Sequence, residues 1–452
     1  MKINIKQLGL IADAKFDLGK KLTVFCGPNN TGKTYVSYII YALTKILLKA
    51  GVAVSKESMS ELLKNGSVEI SIDTNAVKDV RSRKIEYIKK QLGVIFGLPD
   101  DKASKYFSDF DMSFAITDEE HIDLVKSNDI HISANELIQG VHLEIMKPKD
   151  SMVMTLSYKS EEMLSLEKLD EFLNLSFINY IYQLLAFYPI LQSSIYPVER
   201  VSVQTFFRQL SINAKNRVEL HKEGNEVVAM IGKGARYPLA IKDNLDIAEN
   251  LVNLQNQTSE YADLATEIET ELLHGDLSIT KTGEAEFKAN GAKSKSLPAQ
   301  ITASVVKSLS SLTFYLRYMA NGNDLVIIDE PELNLHPDSQ IRLARIFGKM
   351  LNRNLRLLIS THSDYIVREL NNLIMLSGVS EEYIHDIEEK FGYERSMALN
   401  PCDVNAFLFT KNGRNKTEVK NISITKEGFE VKTIDSALQD LNEASDELYH
   451  LL

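Results

Sequence analysis

The chain has 452 residues, 44% of them hydrophobic and 25% charged, which is enough for more than one packed core and excludes a wholly disordered chain. Its net charge of −11 excludes a global attraction to nucleic acid, so DNA contact would need a local basic patch. Two cysteines, Cys26 and Cys402, exclude a disulfide framework and a cysteine-only zinc site, and they fit the reducing cytoplasm.

Met1 to Ile5 already alternates as a strand where a secretory leader would be basic and then apolar. Residues 2–26 read as short strands punctuated by turns at Gly9 and Gly19. In the last of them Leu22, Val24 and Cys26 alternate with Thr23 and Phe25. Gly27-Pro28-Asn29-Asn30-Thr31-Gly32-Lys33-Thr34 follows and fits the pattern GxxxxGK[ST] at every specified position. The apolar content of residues 35–48 then predicts a packed helix. In such an arrangement the glycines let successive N–H groups wrap an anion, and the helix adds the positive end of its dipole. Lys33 is placed to reach the outer phosphates of a nucleotide, and the Thr34 hydroxyl to ligate Mg²⁺. The plainer alternative is a Gly-rich turn without a ligand.

From residue 51 to 189 the texture changes, and we expect an inserted α+β subdomain. Its cluster Arg81, Arg83, Lys84, Lys89 and Lys90 reads as a solvated helix face in preference to a nucleic-acid site. The uncharged run 172–198 is long enough to cross a membrane, but Asn174, Asn179, Gln183, Pro189 and Gln192 interrupt it. A single span there would also put Lys33 and the acidic pair described next on opposite sides of a membrane. A buried helix followed by a strand is the expectation, with no membrane partner.

Residues 194–200 (SIYPVER) predict a core strand ending in a turn. Through about residue 242, Arg200, Arg208, Lys215, Arg217, Lys222, Lys233, Arg236 and Lys242 face Glu199, Glu219, Glu223 and Glu226. Such a patch suits phosphate-backbone binding, yet only Phe206, Phe207 and Tyr237 are there to stack bases, so a plain solvated surface competes with DNA contact. Residues 247–273 form an amphipathic helical pattern that stops at Gly275. Residues 277–287 alternate as a hairpin turning at Gly283, and a helix begins near Ile301.

Leu325-Val326-Ile327-Ile328 is a continuous apolar run of the kind that forms a strand covered on both faces, and it ends in Asp329-Glu330. Asp329 at the strand tip suits Mg²⁺, and Glu330 suits a general base for water. A second run, 355–359, ends in Ser360-Thr361-His362-Ser363. One strand after the acidic pair, His362 is placed to sense a γ-phosphate or the attacking water; by itself it would be a structural histidine.

GPNNTGKT, LVIIDEPELNLHP and ISTHSDYIV together resemble the non-transporter ATP-binding cassette (ABC) ATPases, close to the OLD family and to the heads of DNA-repair and chromosome-structure proteins. The resemblance covers residues 1–50 and about 295–370, with SIYPVER as a weaker link. It implies an α/β fold: an ABC-type P-loop ATPase head split over 1–50 and 190–400, the insertion 51–189 between Walker A and signature motif, and a C-terminal strand pair and helix at 401–452. It implies ATP and Mg²⁺ as ligands, held by Gly27, Asn29, Asn30, Thr31, Gly32, Lys33, Thr34 and Asp329, with Glu330 and His362 catalytic. It also implies a homodimer or higher oligomer that sandwiches ATP between the loop of one subunit and the signature motif of the other. The signature stretch departs from the family: in Ile301-Thr302-Ala303-Ser304-Val305-Val306-Lys307-Ser308-Leu309, Val305 replaces the glycine that permits close backbone approach. Ser304 is then either a ligand in trans or a helix N-cap, and hydrolysis is expected to be slow or partner-dependent.

The resemblance extends to the ATPase components of bacterial antiphage systems such as Septu and PARIS, which work with a separately encoded effector, a nuclease or toxin. OLD proteins carry a Toprim nuclease after the ATPase, but only about 90 residues follow His362 and the head itself must use some of them. The acids Glu381, Glu382, Asp386, Glu388 and Glu389 read as a solvated helix face. In the tail, strands at 404–409 and 419–424 flank a loop with Lys411, Arg414 and Lys416. The closing helix then spaces Leu438, Leu441, Ser445, Leu448 and Leu452 as a narrow seam, expected to pack on its own domain in preference to a partner interface. The leading expectation is an ATPase whose nucleotide-driven dimerisation or closure controls a partner effector. A DNA repair or recombination clamp, an ATP-binding scaffold without turnover, and a transporter subunit are the alternatives.

Overall fold

The computed structural model describes residues 1–46, 48, 51–135, 141–160, 165–205, 237–291, 295–413 and 416–451. The chain forms two compact units. One comprises residues 1–4, 43–90 and 112–191, and the other residues 5–42, 91–111 and 192–452.

The first unit is built on a four-stranded antiparallel sheet in the spatial order Ser67–Ser71, Val153–Ser160, Val141–Lys147, Ile130–Asn135. Helix boundaries follow the local chemistry. Ser55 caps Lys56–Asn65 by accepting from Ser58 N, and Gly66 ends it in the left-handed conformation at φ 75°. Thr117 and Glu120 form a capping box on Asp118–Ser127. The uncharged run becomes a π-helical turn, Leu173–Phe177, and the buried helix Ile178–Phe187; the strand that follows, Ser193–Tyr196, belongs to the second unit. Among the described residues no helix is long and apolar enough to cross a membrane.

The second unit holds the motifs. Lys2–Leu8 and Ile11–Asp17 are neighbouring strands around the turn at Gly9, and beyond them the sheet continues through Thr417–Ile422, Val404–Lys411, Leu22–Cys26, Arg356–Thr361, Leu325–Asp329 and Ser193–Tyr196. The last five of these are parallel neighbours, so their carboxyl ends share one edge. Every residue of Leu22–Cys26, Leu325–Asp329 and Arg356–Thr361 is buried, as expected for parallel strands covered on both faces. The helix Pro337–Asn352 starts with Pro337 in its first turn, and Ser363 caps Asp364–Leu376 by accepting from Ile366 N. Phe16, Phe25, Phe407 and Phe409 pack as an aromatic cluster with centroids 5.1–6.2 Å apart.

Several expectations need correction. The C-terminal strand pair is not a separate element: Val404–Lys411 lies directly beside the phosphate-loop strand, because its apolar residues complete the sheet's core. Residues 91–111, read as part of the insertion, belong to the second unit. The helical pattern 247–273 is interrupted, running as Leu239–Leu254, Ala262–Ile268 and a π-helical turn Glu269–Leu273. In the closing helix Lys432–Leu451, Leu441 and Leu448 are exposed, so its seam does not pack on its own domain at these positions. Arg81 and Lys84, read as solvated, are buried. The acids 381–389 do lie exposed along Glu381–Phe391. Of the basic stretch, Phe206, Phe207, Arg208, Lys215, Arg217, Lys222, Lys233 and Arg236 lie outside the described residues, as does Arg414; Tyr237 and Lys242 are exposed.

Candidate functional site

The loop after Leu22–Cys26 takes its shape from two glycines. Gly27 has φ 126°, and a Cβ there would stand 2.1 Å from Phe409 O; Gly32 has φ 92°. Both are conformations that side chains resist. Asn30 adds a third left-handed residue at φ 59°, and Thr31 Oγ1 donates to Pro28 O at 2.8 Å. Asn29 and Asn30 are exposed. Lys33 is 6% exposed, and its Nζ donates to Gly27 O at 2.8 Å and Pro28 O at 2.9 Å, so the ammonium is held over the loop. Burial lowers its pKa against the opposing pull of Asp329 and Glu330.

The acidic strand meets this loop directly. Thr34 Oγ1 donates to Asp329 Oδ2 at 2.7 Å, joining residues 295 positions apart, and Ser360 Oγ donates to Asp329 Oδ1. The register explains the second contact, since Asp329 lies opposite Ser360 across the parallel pair. Glu330 leaves the strand at φ 48°, its N–H donating to Ser360 O at 3.0 Å.

Arg200, 2% exposed, braces this turn from beneath. Nη1 donates to Asp329 O at 2.7 Å and Pro197 O at 3.1 Å, Nη2 to Glu330 O at 2.7 Å, and Nε to Ser308 O and Oγ at 3.2 Å. Burial draws its pKa down to about 10, which still leaves it charged at neutral pH. The sequence places Arg200 in a basic surface patch; the structure takes it into the core, because the strand just before it, Ser193–Tyr196, pairs with Leu325–Asp329.

His362 Nε2 lies 3.7 Å from Glu330 Oε1, beyond hydrogen-bond range, and is buried with no hydrogen-bond partner among the described residues. Burial, then Lys33, lowers its pKa to about 4, so the ring is neutral at physiological pH. Burial, then Asp329, raises the Glu330 carboxyl. Glu332 orients the histidine backbone: Oε1 accepts from His362 N at 2.6 Å and Oε2 from Thr361 Oγ1 at 3.0 Å.

The structure therefore gathers Lys33, Thr34, Asp329, Glu330 and His362 at one edge of the sheet. Ser304 is not in that cluster. It stands exposed as the first residue of the helix Ser304–Tyr318, with Ala303 at the N-cap, so the N-cap reading of Ser304 does not hold. Arg200, Ser360 and Glu332 were not singled out from the sequence as site residues, although each sits within or beside a recognised motif.

A family model described as AAA ATPase domain matches residues 1–367. The chain belongs to this family. Its sheet, phosphate loop and acidic strand are those of an α/β P-loop ATPase. No curated protein matches the chain. Similar solved structures include an SMC head domain from Thermotoga maritima, at 9% identity and TM-score 0.31 over 93% of this chain and 98% of that one. Another, from Pyrococcus furiosus, is an Smc head domain with an extended coiled coil bound to the C-terminal domain of ScpA, at 10% identity and TM-score 0.32 over 98% of each chain.

Two predictions follow from the geometry. Arg200→Met leaves the carbonyls of Asp329 and Glu330 without their charged donor, and urea unfolding is expected to show a loss of about 3 kcal/mol or more. For His362 the folded pKa of about 4 lies below the unfolded 6.5, so only the unfolded chain takes up this proton between those values. This group's contribution to stability is thus complete above pH 6.5 and declines as pH falls toward 4. His362→Gln is expected to lose less stability than the parent across that window in unfolding titrations.

Proposed function

We propose that this ABC-type ATPase binds Mg-ATP on its phosphate loop and hydrolyses it with Glu330 as general base. The observation that carries the reading is the 2.7 Å bond between Thr34 Oγ1 and Asp329 Oδ2, a hydroxyl and a carboxylate brought together from distant segments at the mouth of a glycine loop. Hard oxygen donors of this kind suit Mg²⁺, which keeps several waters and needs few protein ligands. Thr34 and Asp329 would hold it, and when bound it supplies charge neutralisation at the phosphate oxygens.

The remaining work falls to the chain. Backbone N–H groups of residues 29–34 cradle the phosphates, and Lys33 exchanges its two carbonyl acceptors for phosphate oxygens. Glu330, with its pKa raised by burial and by Asp329, is a stronger base than an ordinary carboxylate and accepts a proton from water. Neutral His362, with Nε2 unpartnered and 3.7 Å from Glu330, supplies a ring nitrogen for the same water or a phosphate oxygen. Glu332 fixes its backbone.

Exposed Ser304 beside exposed Ile301, which is 69% accessible, supports a sandwich in which Ser304 of one copy reaches the nucleotide of the other. We further infer that this closure controls a separately encoded effector in antiphage defence. Support for that step is the OLD-like stretch 332–337 and the exposed Leu441, Leu448 and Leu451 on the closing helix, a surface suited to a partner. A nuclease or toxin gene beside this one would strengthen the reading, and its absence would weaken it.

Lys33→Ala is expected to abolish ATP binding in a folded protein, as read by titration calorimetry; retained affinity would overturn the site. Glu330→Gln is expected to bind ATP and trap it, with phosphate release falling by about a hundredfold or more and light scattering showing a dimeric or closed form with Mg-ATP. Turnover at the parent rate would refute the catalytic role, and trapping without any change of assembly would refute the sandwich.

A further inference from the structure

The helix Thr74–Lys90 of the first unit turns two cations inward, with Arg81 4% exposed and Lys84 fully buried. Lys84 is accommodated: its Nζ donates to Gln183 Oε1 at 3.2 Å and lies 5.3 Å from the Phe187 ring centroid. Arg81 is only partly so. Its Nε donates to Ala186 O at 2.7 Å, and its Nη1 donates to His121 Nδ1 at 2.5 Å. His121 Nε2 in turn donates to Thr74 O at 3.0 Å, which places the proton of a neutral ring on that nitrogen. Arg81 Nη2 is shielded from solvent and has no hydrogen-bond partner among the described residues. Burial, with no carboxylate to offset it, lowers the Arg81 pKa to about 10. A buried guanidinium that lacks a counter-charge and whose Nη2 is left without a hydrogen bond is costly, which points to something missing.

Arg81 lines a cavity of about 400 Å³ that lies wholly within the first unit. Met112, Phe114 and Ile116 give it apolar walls, with the Phe114 ring centroid 5.7 Å from the Arg81 guanidinium carbon. Lys78 and Lys89 add positive charge to the lining, and the Glu86 carboxylate in that lining is engaged by Lys89 at 3.0 Å. The volume is that of a small-molecule site, and the few polar groups among apolar walls are the usual composition of one.

We propose that this cavity binds a small organic anion, an apolar body carrying one carboxylate or phosphate head, with the head seated on Arg81. A guanidinium matches planar oxyanions, and Ala186 and His121 already hold two of its nitrogens, so the group is fixed in orientation at the cavity wall. The apolar walls favour an organic anion over a bare inorganic ion. This site shares no residue with the nucleotide site, so either reading can fail without the other.

Titration calorimetry of the full chain with phenyl phosphate and with 3-phenylpropionate tests the proposal, with saturating ADP present to occupy the phosphate loop. Saturable binding of at least one probe is expected, and the pair of probes distinguishes a phosphate from a carboxylate head. Arg81→Met should weaken it roughly tenfold or more. Ser82 lines the cavity from an exposed helix position, and its hydroxyl donates to Lys78 O, so Ser82→Trp fills the space without breaking the bonds of Arg81. That variant should also lose binding, and it decides the matter if Arg81→Met does not fold. Absence of saturable binding for both probes, or binding that Ser82→Trp leaves unchanged, overturns the proposal.

Discussion

One buried guanidinium fixes where the acidic pair stands. Arg200 reaches from the turn after Ser193–Tyr196 to the carbonyls of Asp329 and Glu330, the two residues at which the chain leaves its strand. The left-handed turn at Glu330 costs on the order of 1 kcal/mol for a residue with a side chain, and hydrogen bonds to a charged donor, worth about 1.5–3 kcal/mol each, offset it. With the turn held, the Asp329 carboxylate faces Thr34 and Ser360, and Glu330 is directed toward His362. The site is thus carried on adjacent parallel strands whose carboxyl ends coincide, the position at which open α/β sheets place their ligands.

Burial also sets the charge states. It lowers Lys33 and His362, raises Glu330 and Glu332, and so moves each toward its neutral form. A polyanion among these groups acts in opposite directions on them, favouring the charged lysine and disfavouring further negative charge on the carboxylates.

In the first unit the same physics has a different outcome. A helix whose sequence is rich in Lys and Arg buries two of those cations with neutral partners, Gln183, His121 and the carbonyl of Ala186, in place of carboxylates. Sequence periodicity did not reveal this, because Val77, Val80, Ile85 and Ile88 already account for an apolar stripe and the cations lie within the same inward arc.

Local patterns determined much of the second unit. The glycine loop, the apolar strand ending in Asp329-Glu330, and the strand before His362 were legible because each rests on short-range constraints: backbone freedom at Gly27 and Gly32, and burial of a strand on both faces. The match of residues 1–367 to the AAA ATPase domain family agrees with that reading of the fold. What tertiary structure alone decided were contacts between segments far apart in the chain. Arg200 reads as one more cation in a basic stretch until the pairing of the preceding strand Ser193–Tyr196 brings it under Asp329. The tail strand Val404–Lys411 reads as an appendage until it pairs beside the phosphate-loop strand and sets Phe409 O against Gly27. Composition and spacing report which residues can be buried, whereas strand order decides what each buried residue meets.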